Sequence, residues 1–149
     1  MRIFLAAFAM FCAGPAFATG GFDCDADDAK ASIWLNALTT RGMGFPVLRF
    51  DGTVELKDAS VAADLRSVKF DGSHLPQYWA EDGELRLFVY RERTGDAPYG
   101  HIQLIVRAKF DENDDLAGRY DLEVVDMTGV TDGEAKTVRI EGDISCVLG

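Results

Sequence analysis

Apolar and polar side chains alternate with a period of two over four long stretches of this chain, and nothing else constrains its fold as strongly. From Val47 to Lys57, Leu48, Phe50, Gly52, Val54 and Leu56 share one face, while Arg49, Asp51, Thr53, Glu55 and Lys57 share the other. From Gly100 to Phe110, Ile102, Leu104, Val106, Ala108 and Phe110 fall together. Gly118 to Val125 groups Tyr120, Leu122 and Val124; Thr137 to Val147 groups Val138, Ile140, Ile144 and Cys146. Successive side chains of a strand point to opposite faces, so this period marks strands buried on one side and solvated on the other.

The segments between these runs carry turn chemistry. Thr94-Gly95-Asp96-Ala97-Pro98 and Asp111-Glu112-Asn113-Asp114-Asp115 each suit a hairpin loop of about five residues. Pairing Phe110 with Leu116 sets Val106 opposite Tyr120, Leu104 opposite Leu122 and Ile102 opposite Val124, so turn and pattern agree. Pairing Arg93 with Tyr99 sets Tyr90 opposite Ile102 and Phe88 opposite Leu104, which predicts a three-stranded meander over 84–125. In that register Leu85, Leu87 and Val89 point away from the core face, with Leu87 opposite Ile105.

Two regions are less patterned. Residues 28–38 suit a helix by composition, with Asp25 or Asp28 as its cap, and a strand by alternation of Ala31, Ile33, Leu35 and Ala37. The strand is preferred because Thr39 to Pro46 then forms the loop into the next one. Val61 to Phe70 is expected to hold a strand near Leu65 to Phe70. Asp71 to Gly83 reads as a loop broken by Gly72, Pro76 and Gly83. About seven short antiparallel strands with polar turns predict an all-β domain, either a β-sandwich or a partly open β-barrel.

The opening of the chain has a different character. Arg2 precedes an apolar run from Ile3 to about Ala13, Gly14-Pro15 breaks it, and Ala16-Phe17-Ala18 offers a small-x-small cleavage site. This is the pattern of a secretory signal peptide over 1–18, leaving a single β-rich domain over 19–149. The apolar run is shorter than the roughly 20 residues that a membrane-crossing helix needs, and no later segment approaches that length. Phe11 before Cys12 does not suit lipid attachment. Export places the chain in the periplasm or outside the cell. There an even cysteine count reads as a disulfide, so Cys24 and Cys146 are expected to pair.

Composition and motifs narrow the function. The mature chain would carry 14 basic against 25 acidic residues, a net charge of −11, which argues against nucleic acid and anionic membrane surfaces as partners. Asp23, Asp25, Asp27 and Asp28 begin like a calcium loop, but Asp28 stands where glycine is needed and Trp34 where glutamate is needed. Asp111-x-Asn113-x-Asp115 fails likewise at Leu116 and Leu122. No metal site, cofactor motif or catalytic set is expected. His101 falls on a polar strand face beside Gln103; His74 follows Ser73 in a loop, where adjacent side chains usually point apart, and there is no G-x-S-x-G elbow.

These features predict a binding or interaction module for a protein or small-molecule partner, on a surface drawn from His74, Tyr78, Trp79, Leu85, Leu87, Val89 and Ile105. Two alternatives stay open. One is a small hydrolase working through carboxylates or a histidine. The other is a self-assembling envelope component, resting on an uncovered row of Leu85, Leu87, Val89 and Ile105.

Overall fold

The computed structural model describes residues 19–40, 46–110, 115–131 and 133–149. The expected signal peptide over 1–18 lies outside them, as do Asp111 and Asn113 of the second acidic cluster and part of the loop before residue 47.

Nine antiparallel strands form one sheet coiled into a half-barrel. They are β1 (Thr19–Asp27), β2 (Ala31–Thr40), β3 (Val47–Leu56), β4 (Ser67–Asp71) and β5 (Gln77–Glu81), then β6 (Glu84–Glu92), β7 (Gly100–Phe110), β8 (Leu116–Asp126) and β9 (Lys136–Leu148). Their order across the sheet is β4-β3-β2-β1-β9-β8-β7-β6-β5. The all-β class therefore holds. The count of about seven strands falls short, and of the two architectures expected the half-barrel sheet answers to the partly open barrel and not to the sandwich.

Two meanders make up this sheet: β1 to β4, then β5 to β9. They meet where β1 pairs with β9 over Phe22–Asp25 and Ser145–Leu148. Cys24 lies directly opposite Cys146 in that pairing, and the expected disulfide joins them. Both cysteines are buried. At the far side, the sheet's two edges are joined by the chain itself. β4 leads into a 3-10 turn, Gly72–His74, which touches β3, β4 and β6 before β5 begins.

Side chains on the inner face pack into one continuous apolar cluster. Ala31, Ile33, Leu35 and Ala37 of β2 contribute as the strand reading requires, and so do Ile102, Leu104, Val106, Tyr120, Leu122 and Val124. A short helix α1 (Ala63–Arg66) lays Leu65 over one end, together with Val61. The strand expected near Leu65 thus starts two residues later, at Ser67. At the same end Asp28 closes the β1–β2 hairpin. Its Oδ1 accepts from the amides of Lys30 (2.7 Å) and Ala31 (2.9 Å), and Tyr120 donates to its Oδ2 across 2.5 Å. These donors hold the Asp28 carboxyl below its ordinary range, with Tyr120 the strongest. Gly142 makes room for that ring: a Cβ there would sit 2.6 Å from Tyr120 Cε1.

One hairpin differs from its expected register by a single residue. Arg93 donates its amide to the Gly100 carbonyl, so Val89 lies opposite Leu104 and Leu87 opposite Val106. Leu85, Leu87 and Val89 are therefore core residues, and Phe88 and Tyr90 take the outer face. The loop is one residue longer than the turn chemistry suggests, which inverts every side chain of β6. The core gains three aliphatic groups, and the tyrosine keeps its hydroxyl near polar partners.

The stretch from Asp71 to Gly83 is likewise more ordered than a loop. It contains β5, joined to β6 by Asp82-Gly83, both with positive φ (53° and 74°). Asp-Gly favours this two-residue turn because both central positions are left-handed.

Candidate functional site

With the inner face packed by its own side chains, the open surfaces are on the outside of the sheet. The registers of β5 to β9 align outer-face residues into rows running across the strands. One row reads Trp79, Arg86, Arg107, Arg119, Asp143, each directly opposite the next. The adjacent row reads Gln77, Phe88, Ile105, Asp121, Glu141.

A groove of about 610 Å³ lies over the first half of these rows. Trp79, Phe88 and Ile105 supply its apolar floor, and Arg86 and Arg107 its charge; no carboxylate lines it. Trp79 is 51% exposed, as an unpaired aromatic on an edge strand. A second depression of about 440 Å³ continues from Arg86 and Arg107 to Lys109 and Arg119.

The cations of this face are paired at the surface. Arg86 meets Glu84 at 2.5 Å, and Lys109 meets the same carboxylate. Those two cations hold the Glu84 carboxyl down, with Lys109 the stronger. Arg107 meets Asp121 at 2.5 Å, and Arg119 lies 3.2 Å from Asp143 and 3.6 Å from Glu141. Side chains of Arg86, Arg107 and Arg119 remain 60%, 57% and 60% exposed.

The residues singled out from sequence separate into three groups. Trp79 and Ile105 line the groove, and Tyr78 stands at its rim, where its hydroxyl accepts from the Val47 amide (3.2 Å). Leu85, Leu87 and Val89 are in the core, so the uncovered row on which self-assembly would rest does not exist. His74 is apart from the groove. Its Nδ1 accepts from the Asp71 amide (3.1 Å), and its ring meets Phe70 edge-on at 6.0 Å, closing the capping box of the 3-10 turn. Ser73 donates to Asp71 at 2.6 Å, so serine, histidine and acid serve one cap.

His101 belongs to a polar network further down the outer face. Its Nδ1 lies 3.0 Å from the Tyr99 hydroxyl, which lies 3.1 Å from the Tyr90 hydroxyl. Tyr90 donates to Glu92 at 2.7 Å. Burial, then Tyr99 and Glu92, push the Tyr90 phenol well above its ordinary range. The other ring nitrogen of His101 lies 3.9 Å from Glu123.

The acidic residues around Cys24 disperse. Asp23 accepts from Asn36 (2.9 Å), Asp27 pairs with Lys57 (2.7 Å), and Asp28 meets Tyr120. Among the described residues no group of three or more His, Cys, Asp or Glu side chains is placed to hold a metal ion. Nor does any helix among them have the length and hydropathy to cross a membrane.

Sequence reasoning missed Phe88, Arg86, Arg107 and Arg119. Their alignment depends on three registers at once. Asp82-Gly83 was the available signal, since a hairpin there places Trp79 beside Arg86.

No protein-family model, curated protein or solved structure matches this chain.

Proposed function

We propose that the chain is an exported binding module that holds its ligand on the outer face of β5, β6 and β7. Export rests on the basic start, apolar run and Ala16-Phe17-Ala18 site of the sequence. A buried disulfide suits the oxidising compartment that export implies. The observation that carries the binding reading is the groove over Trp79, Phe88 and Ile105, an apolar floor flanked by the Arg86 and Arg107 guanidiniums, whose paired carboxylates Glu84 and Asp121 lie outside its lining. Indole and guanidinium are the side chains that most often dominate binding energy, because each combines a large flat contact with directed polarity.

Native mass spectrometry tests this on protein purified from its own source. The expected result is an added mass on the wild type that Trp79→Ala loses, with the thermal midpoint unchanged. An added mass that survives Trp79→Ala places the ligand elsewhere. Loss of the thermal transition makes Trp79 part of the fold, and the groove reading falls. A denatured mass matching residues 19–149 supports cleavage after Ala18; an intact 1–149 mass refutes it.

A further inference from the structure

The outer row has a property that the fold does not need. Arg86, Arg107 and Arg119 lie directly opposite one another on β6, β7 and β8. Like charges in direct cross-strand opposition destabilise a sheet. The carboxylates that neutralise this row, Glu84, Asp121, Glu141 and Asp143, flank it on the same face, while the guanidiniums themselves stay in one line. Lys109 joins the cluster one row away, beside Glu84. Trp79 ends the row on the edge strand.

We infer that this row is a track for an acidic polysaccharide, one carrying carboxylates on successive sugar rings. The inference rests on the reading of this face as the ligand face and names the ligand's chemistry. Neighbouring strands are ~5 Å apart, so the three guanidiniums form a ladder of regular spacing running perpendicular to the strands. A ligand lying across a sheet face finds no main-chain donors or acceptors, because the sheet has used them. It must be held by side chains, through charge and ring stacking. Arginine grips a carboxylate with two parallel bonds, and an exposed indole offers the flat apolar surface on which a pyranose ring packs. The present partners Glu84 and Asp121 do not block the track. Exposed ion pairs contribute little, so an incoming carboxylate exchanges with them readily.

The same geometry disfavours an acidic peptide. An acidic peptide gains most from a free strand edge, whereas this row crosses the strands. Glu141 and Asp143 end the rows and oppose any polyanion beyond Arg119, which confines the track to the stretch from Trp79 to Arg119.

Calorimetric titration with three probes, oligogalacturonate, a neutral cello-oligosaccharide and poly-glutamate, tests the inference. Expected are binding of oligogalacturonate that weakens with added salt, and a loss of about tenfold in affinity for Arg107→Gln or Arg119→Gln. Trp79→Ala abolishes that binding. Arg49→Gln, on the outer face of β3, leaves it unchanged. Equal binding of the neutral sugar, unaffected by either arginine variant, overturns the acidic class and leaves the groove. Preferential binding of poly-glutamate overturns the saccharide. Failure of all three probes, while the native adduct still requires Trp79, rejects this ligand class alone. An adduct indifferent to Trp79 removes both readings.

Discussion

The two meanders of this domain are joined twice, and the joins are built differently. On one side β1 and β9 share backbone hydrogen bonds, with a buried disulfide at the centre of their pairing. On the other side β4 and β6 make no ladder, and side chains bridge the gap. Arg91 donates to the Lys69 carbonyl, the Val47 amide donates to Tyr78, and Arg93 reaches Asp64 of α1 (2.6 Å). Arg93 is the densest of these links. Its side chain is 4% exposed and also contacts Asp126 (2.9 Å), Thr128 (3.1 Å) and the Pro98 carbonyl (2.8 Å). A ladder needs two strands in register. A side-chain bridge tolerates strands that splay, so the sheet can close its core without closing its hydrogen bonding.

The disulfide is expected to be the costliest element to remove. It spans 122 residues, for which the chain-entropy relation gives about 4 to 5 kcal/mol, reduced where the unfolded chain keeps structure. Urea unfolding of the Cys24→Ala/Cys146→Ala protein measures this. A loss below about 1 kcal/mol would mean that the β1–β9 ladder and the bridged side hold the domain without the covalent link.

Arg93→Ala comes next, at about 3 kcal/mol, because Asp126 is left buried without its cation. The same urea titration reads it. A negligible change would show that the gap is held by packing of Leu65 rather than by charge.

Asp126→Asn sharpens this through pH. Burial alone pushes the Asp126 carboxyl up, but Arg93 and then Thr128 outweigh it and hold the group at about 2. Its unfolded value is about 3.9, so its contribution is present above that and disappears as pH falls through the folded value. The variant should be about 2 kcal/mol less stable than wild type near neutral pH. That difference should close between about pH 4 and pH 2, as read from thermal midpoints across that range. A difference that persists in acid would assign the loss to geometry instead of charge.

The smallest effect belongs to Tyr78→Phe, which removes the acceptor of the Val47 amide at an exposed site. About 0.5 kcal/mol is expected, with faster hydrogen exchange confined to Val47. Exchange that also accelerates in β1 and β9 would show that the two joins are coupled.

Much of the sheet was legible because β3, β7, β8 and β9 each solvate one face, so their side chains record the fold directly. The inward Cys146 followed from that pattern, and the Phe110–Leu116 pairing from the pattern together with the acidic turn. β6 was not legible in the same way. Leu85, Leu87 and Val89 are apolar, and so are Phe88 and Tyr90 on the opposite parity. Alternation therefore does not say which face of β6 turns inward. Only the length of the loop before β7 does, and a turn of five residues gives the wrong parity. β5 was hidden by its shortness and its edge position. The single sheet could not be read from periodicity, because the pairing of β1 with β9 joins residues at opposite ends of the chain. Of the site, Trp79 and Ile105 were found, while the arginine row was lost through the β6 slip, which turns Arg86 inward.

Placing residues 19–22 of β1 beside 147–149 at the end of β9 has a mechanical consequence. Gly21 and Gly149 exchange both of their backbone hydrogen bonds, at 3.1 and 3.0 Å. Tension applied at residues 19 and 149 would peel these strands apart one pair at a time. The peel would pass Phe22–Leu148 and Asp23–Val147, then stop at Cys24–Cys146. From there a covalent bond carries the load, and the outer face of β5 to β8 is shielded from a pull on residues 19 and 149.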